Sequence, residues 1–525
     1  MIAADLRSVQ GIQIKTLERL LQTAKASFDE LASAVGDDPK FQQYRAKMMS
    51  EFGETYLKAK GLDQASDAYH ESLQIYLSLA AKEPVAIVWQ REIADQIDHL
   101  GSVRQQQGKI GPAMDNFRQA FDIRRSIVDR EGGNATSYSD FAWSHYNIGE
   151  ILMLRRMAPE SLASHHEALA NMRRALSIDP GNLDLEYKLS LIHVSIGVAH
   201  EALGHPDRRL DSLKTALAIR EQLVDSNPDN TEWKRALSWA YFWIGGYYLD
   251  EGNVDEALKN IRQCMSHRLD LVKANPGDLV AKYDLAWAHH YLGMAFQGKG
   301  DLAAAATHFE EALKLRRELV EMDGKNARWR KDLALSHDAL GDLASAHKDA
   351  AAAIEQYKTS AVILEELISA APTNGAWRDS LAVIYNKVGR IKKCRGDTDG
   401  ALLSYAAALT VRSKLLDENP DDLASMLRVA RSDALVGEVL QLGGQTEKAR
   451  AHYRHATELG KRMLGRDPNN LAARDLLAIV EAKVGLPVDA GPGDGLRACA
   501  NLRARCRVLS YGQSNYRLEG SRGRD

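Results

Sequence analysis

Residues 285–319 read LAWAHHYLGMAFQGKGDLAAAATHFEEALKLRREL, where Leu292-Gly293 is followed by Ala305, Phe309, Ala312, Arg316 and Leu319. The same order returns 48 residues on, at Leu340-Gly341, Ala353 and Tyr357. Steps of 48 in either direction meet Gly53, Gly101, Gly149, Gly197, Gly245, Gly389, Gly437 and Gly485. Self-similarity at a fixed period of about 20–50 residues marks a solenoid or an array, and it overrides an element-by-element reading.

Each lattice glycine follows an apolar residue, as in Phe52, Ile148, Leu292 and Val436. Twelve residues later stands a small residue, Ala or Ser, with Arg209 the exception. Sixteen later stands Tyr69, Phe117, Leu213, Ile261, Phe309, Tyr357, Tyr405 or Tyr453, with His165 as the polar outlier. Small residues return nineteen after the glycine, and spacings of three and four belong to helices. Alternating small and large residues let two helix backbones approach closely, so each period predicts a helical hairpin. Its turn is marked seven residues after the lattice glycine by Gly108, Gly204, Gly252, Gly300, Gly396 and Gly444, with Arg156 and Lys348 substituting. Glycine there permits a left-handed C-terminal cap. Proline, or Gly132 and Gly324 in two periods, closes the second helix 31 residues after the lattice glycine.

Leucine-glycine, then alanine, aromatic and alanine at these intervals, closed by proline, resembles the tetratricopeptide repeat. That motif runs about 34 residues, so here each helix is read as about seven residues longer. Seven residues are about two turns, and the same face returns to the same neighbour. The resemblance, to long-repeat bacterial members, implies an all-α fold, a right-handed α-solenoid whose first helices line a concave, peptide-binding surface. The lattice predicts a lone helix or half repeat within 1–38, a solenoid over 39–485 with nine hairpins and a final single helix, and a disordered basic tail over 486–525. The lone helix reads equally as a cap or as the place where an upstream domain was lost.

Composition narrows the function. With Lys+Arg 68 against Asp+Glu 71, a formal charge of −3 argues against nucleic acid or an anionic membrane as partner. Cys264, Cys394, Cys499 and Cys506 form no CxxC pair, and no export signal opens the chain, which fits a reducing cytoplasm. No apolar run reaches the roughly 18 residues of a membrane span. Phosphate-binding, dinucleotide, HExxH and nucleophile-elbow patterns are absent, so neither an enzyme nor a cofactor is expected. His145, His193, His289 and His337 recur four before the lattice glycine. Helices packed about 8–10 Å apart would separate successive members by roughly 20 Å, too far for a metal. Seam packing with one bonded nitrogen is expected instead.

Two columns remain. Arg124, Arg220, Arg268, Arg316 and Arg412 lie 23 after the glycine, and an aspartate follows sixteen later in three cases (Asp140, Asp284, Asp332). This pattern predicts surface ion pairs between units, worth only ~0–1 kcal/mol each. The second column is a stripe of rings on the first helices of the middle repeats, beside an apolar face that is already complete: Trp143, Tyr146, Tyr187, Trp239, Phe242, Tyr283, Trp287 and His290. Because aromatic anchors dominate binding surfaces, these eight are predicted to form a partner-binding groove, against the plainer alternative that they pack between neighbouring first helices. The expected function is a scaffold or adaptor that binds a protein or peptide. A signalling sensor that binds a peptide or small effector is the second reading.

Overall fold

The computed structural model describes residues 19–484, apart from 20, 29, 31–37 and 60. The proposed tail, Gly485 and most of the opening helix lie outside the described residues. The described residues fall into α1 (Pro39–Lys58), α2 (Leu62–Lys82), α3 (Ile87–Gln106), α4 (Ile110–Glu131), α5 (Ala135–Leu154), α6 (Ala158–Ile178), α7 (Leu183–Ala202), α8 (Pro206–Ser226), α9 (Thr231–Asp250) and α10 (Val254–Ala274). They continue with α11 (Leu279–Lys299), α12 (Leu302–Met322), α13 (Ala327–Ala346), α14 (Ala350–Ala370), α15 (Gly375–Cys394), α16 (Thr398–Glu418), α17 (Leu423–Leu442), α18 (Thr446–Arg466) and α19 (Leu471–Val484). The chain is all-α, a solenoid of helical hairpins in which odd-numbered helices come first and even-numbered ones second. It divides into two compact units, residues 1–281 and 282–525. Within each, helices pack on their chain neighbours and the core runs from one hairpin to the next.

The lattice glycines explain themselves in the packing. A methyl group at Gly341 would lie 2.5 Å from Cε1 of Tyr357, and one at Gly293 would lie 2.6 Å from Cδ1 of Phe309. In most repeats the side chain sixteen residues on rests against the glycine's α-carbon, fixing where the two helices cross. Gly197 is looser, since the nearest Leu213 atom would stand 3.6 Å away.

The hairpin turns repeat one geometry. Residue 108 closes the first helix with φ 77, and the next amide, that of Lys109, donates to the Arg104 carbonyl at 2.9 Å. Arg156 and Lys348 occupy the same left-handed conformation with φ 61 and 62, although neither is glycine. The second helices then open on Asn253, Asp301, Asp349 and Asp397, whose side chains accept from the amide three residues on. First helices open on Asn134, Asn182, Asn230, Asp278, Asn326, Asn374, Asp422 and Asn470, again 48 apart and again accepting backbone amides.

Candidate functional site

The arginines 23 after the lattice glycine overturn the surface reading. Arg220, Arg268 and Arg316 are among the largest fully buried side chains, and Arg124 and Arg412 are buried too. A serine hydroxyl meets each. Arg124, Arg316 and Arg412 donate through Nη1 to Ser144, Ser336 and Ser432 at 2.9, 2.7 and 3.0 Å. Arg220 and Arg268 donate through Nε to Ser190 and Ser238 at 3.1 and 3.3 Å. The acids that hold Arg124 and Arg412 come from their own hairpins, Asp95 and Asp98 for the first and Asp379 for the second, and Asp140, sixteen after Arg124, instead meets Arg91 at 3.6 Å. Those carboxylates push the Arg124 guanidinium further up against the opposing effect of burial.

The ring stripe answers the same arginines. In the first unit, the Arg268 guanidinium lies 4.4 Å from the Trp239 ring centre and 4.8 Å from that of Phe242. Trp239 and Phe242 sit on α9 where Asp95 and Asp98 sit on α3, six and three before the lattice glycine. In the second unit, Arg316 lies 4.7 Å from the Trp287 ring. The same stripe therefore presents carboxylates to one buried cation and aromatic faces to others, and a face contributes ~0.5–2 kcal/mol. Arg220 is the extreme case. It donates to Ser190 Oγ and to the Ala236 carbonyl at 2.7 Å, has no carboxylate partner among the described residues, and is pulled by burial down to about 10. Tyr187 beside it opposes that fall.

The eight predicted binding residues divide accordingly. Tyr146, Trp239, Phe242, Tyr283 and His290 are buried. Tyr283 accepts from Arg328 Nε at 2.8 Å, and His290 packs between Trp287 and Phe309 with ring centres 5.6 Å from each. Burial, with Arg316 close by, holds the His290 imidazole well below its ordinary value. These five are packing elements. Trp143, Tyr187 and Trp287 stay half-buried. In the first unit, Trp143 stacks on Tyr146 at 4.5 Å with 15° between the planes.

The histidine column behaves as a seam. His337 Nδ1 is 2.7 Å from Gln356 Oε1, His289 Nδ1 is 3.1 Å from His308 Nδ1, and His145 packs edge-on to Phe121 and Phe141. Among the described residues no three His, Cys, Asp or Glu side chains are grouped to hold a metal ion, and no helix is long and apolar enough to cross a membrane.

The sequence profile of the tetratricopeptide repeat matches residues 285–323, from α11 through α12. That stretch is a tetratricopeptide repeat, and the hairpins stacked on either side of it fit the same repeat fold. RapI in its apo form is 12% identical, with 80% of this chain and 99% of that one covered and a TM-score of 0.51. A tetratricopeptide repeat protein from Parabacteroides merdae is 16% identical over 63% of this chain and 98% of its own, with a TM-score of 0.32. Human IFIT1, as a dimer with PPP-AAAA, is 15% identical over 87% and 93%, with a TM-score of 0.38. The last two superpose too loosely to bear on function, and the first speaks for the fold alone. No curated protein matches the sequence. Stacked tetratricopeptide hairpins are in general non-catalytic and serve as scaffolds for protein interaction.

Proposed function

We propose that the first helices of the first unit bind an extended or helical segment of a partner protein, which makes the chain an adaptor. The observation that carries this reading is the partial exposure of Trp143 and Tyr187 on α5 and α7, beside rings that packing has enclosed. A half-buried ring on a rigid helix offers large contact area with few rotatable bonds to immobilise, the usual make-up of a binding anchor. Five of the eight rings singled out from sequence act from behind, holding arginines and helix spacing, so the contact surface is narrower than the stripe.

A photo-crosslinking amino acid at Tyr187, with the same substitution at Leu77 as control, tests this. Leu77 is 43% exposed on a second helix of the same unit. Crosslinks to one protein from position 187 and none from 77 are the expected result. Equal labelling from both positions, or loss of the crosslinked species only in variants that also unfold, contradicts it.

A further inference from the structure

Glu150 stands one residue after its lattice glycine, on the face of α5 that carries Trp143 and Tyr146. Three other repeats place an acid at that position, and in each a lysine of this chain neutralises it. Lys58 lies 3.0 Å from Glu54, Lys387 2.7 Å from Asp342, and Lys393 3.0 Å from Glu438. Glu150 has no such lysine. It accepts a hydrogen bond from Ser195 Oγ of α7 at 2.7 Å, and its other polar neighbour is His165 Nε2 at 3.6 Å. His165 supplies no charge, because burial first and His166 second hold its imidazole at about 3. Among the described residues, then, no cation partners Glu150, whose side chain is 33% exposed. Burial raises the Glu150 carboxyl, the hydrogen bond from Ser195 acting against it. An ionised acid at such a place gains from an incoming positive charge, and the half-buried Trp143, two turns earlier on the same helix face, offers apolar surface to the stem of the side chain that carries it.

We infer that Glu150, with Trp143 two turns away on the same helix face, is a subsite for one lysine or arginine side chain of the bound segment, doing for the partner's cation what Asp342 does for Lys387. The inference rests on the adaptor reading and sharpens it: the partner carries a basic residue at one fixed position. Tyr146 contributes mainly by holding the Trp143 ring in place, since it is itself buried.

A displayed library of random short peptides, panned against the full chain, Glu150→Gln and Glu447→Gln, provides the test. Glu447 is a control acid on α18 whose side chain is 73% exposed. Peptides recovered by the full chain are expected to share a Lys or Arg at one position and to bind Glu150→Gln about tenfold more weakly, the order of one lost charged contact. Their binding to Glu447→Gln is expected to be unchanged. Because glutamine keeps the shape and the Ser195 partner, circular dichroism of Glu150→Gln should match the parent. A Glu150→Lys variant should in turn accept the same peptides with their basic residue replaced by glutamate. Recovered peptides with no shared basic position, or with equal affinity for Glu150→Gln, overturn the subsite and leave the adaptor reading standing. If the full chain recovers no peptide, both fall.

Discussion

At the scale of single residues, the lattice glycines are points of contact between helices rather than points of flexibility. Gly341→Ala drives a methyl group against the Tyr357 ring at 2.5 Å, and Tyr357 is fully buried with nowhere to turn. Overpacking of about 1–3 kcal/mol should outweigh the roughly 1 kcal/mol that alanine adds to a helix. Gly197→Ala meets its nearest side-chain atoms at 3.5 and 3.6 Å, an ordinary contact. It should therefore be neutral or stabilising by up to about 1 kcal/mol in a denaturation series. His165 yields a pH prediction. Its folded pKa, about 3, lies below the ordinary histidine value, so the unfolded chain takes up the proton first. Stability is then lost as pH falls below about 6.5 and goes on falling toward the folded value, by about 2 kcal/mol at pH 5. His165→Phe, the residue found at the same place in two other repeats, should remove that part of the acid sensitivity. Parallel unfolding curves of the two proteins from pH 7.5 to 5 would count against the assignment.

At the scale of the helix pair, the turn and the buried arginine decide how well a hairpin holds. Arg156 and Lys348 adopt a left-handed conformation that a Cβ disfavours by about 1–2 kcal/mol. Arg156→Gly and Lys348→Gly should each stabilise by about 1 kcal/mol, whereas glycine one residue earlier, at 155 or 347, should not. Arg124 and Arg220 occupy equivalent places and should respond oppositely to methionine. Arg124→Met strands the buried Asp98 and should lose about 3–5 kcal/mol. Arg220→Met removes a desolvated charge that no carboxylate among the described residues answers and should be close to neutral or stabilising. Sequence made the hairpins legible because small and large residues recur at fixed offsets, and it marked the turn position even where Arg156 stands for glycine. It misplaced the arginines because a charged residue is seldom buried, and because the groups that satisfy them lie about 20 to 30 positions away on other helices. The asparagine and aspartate caps, also spaced by 48, were visible in the sequence as a column but carried no apolar signal to draw attention to them. Of the ring stripe, position and helix face were legible. Which rings meet a cation depends on the side-chain directions of Arg268, Arg316 and Arg328, which no pattern of letters reveals.

At the scale of the whole molecule, 48 residues are one mechanical unit, so that an intact period is removable while a fragment of one is not. Repeat arrays depend on nearest-neighbour interfaces, and equivalent surfaces should meet again after excision. Residues 86–133 are one whole period of the first unit. They carry Arg91, Asp95, Asp98, Arg124 and Glu131 away together and leave Asn134 to cap α5 as before. The decisive measurement compares thermal unfolding by circular dichroism of the chain lacking 86–133 with that of the chain lacking 86–119, a deletion of the usual motif length. The account predicts that the first keeps its helical signal per residue and a cooperative melt, while the second loses helicity or cooperativity across the junction. A collapse of the 48-residue deletion, or equal tolerance of the shorter one, would contradict it.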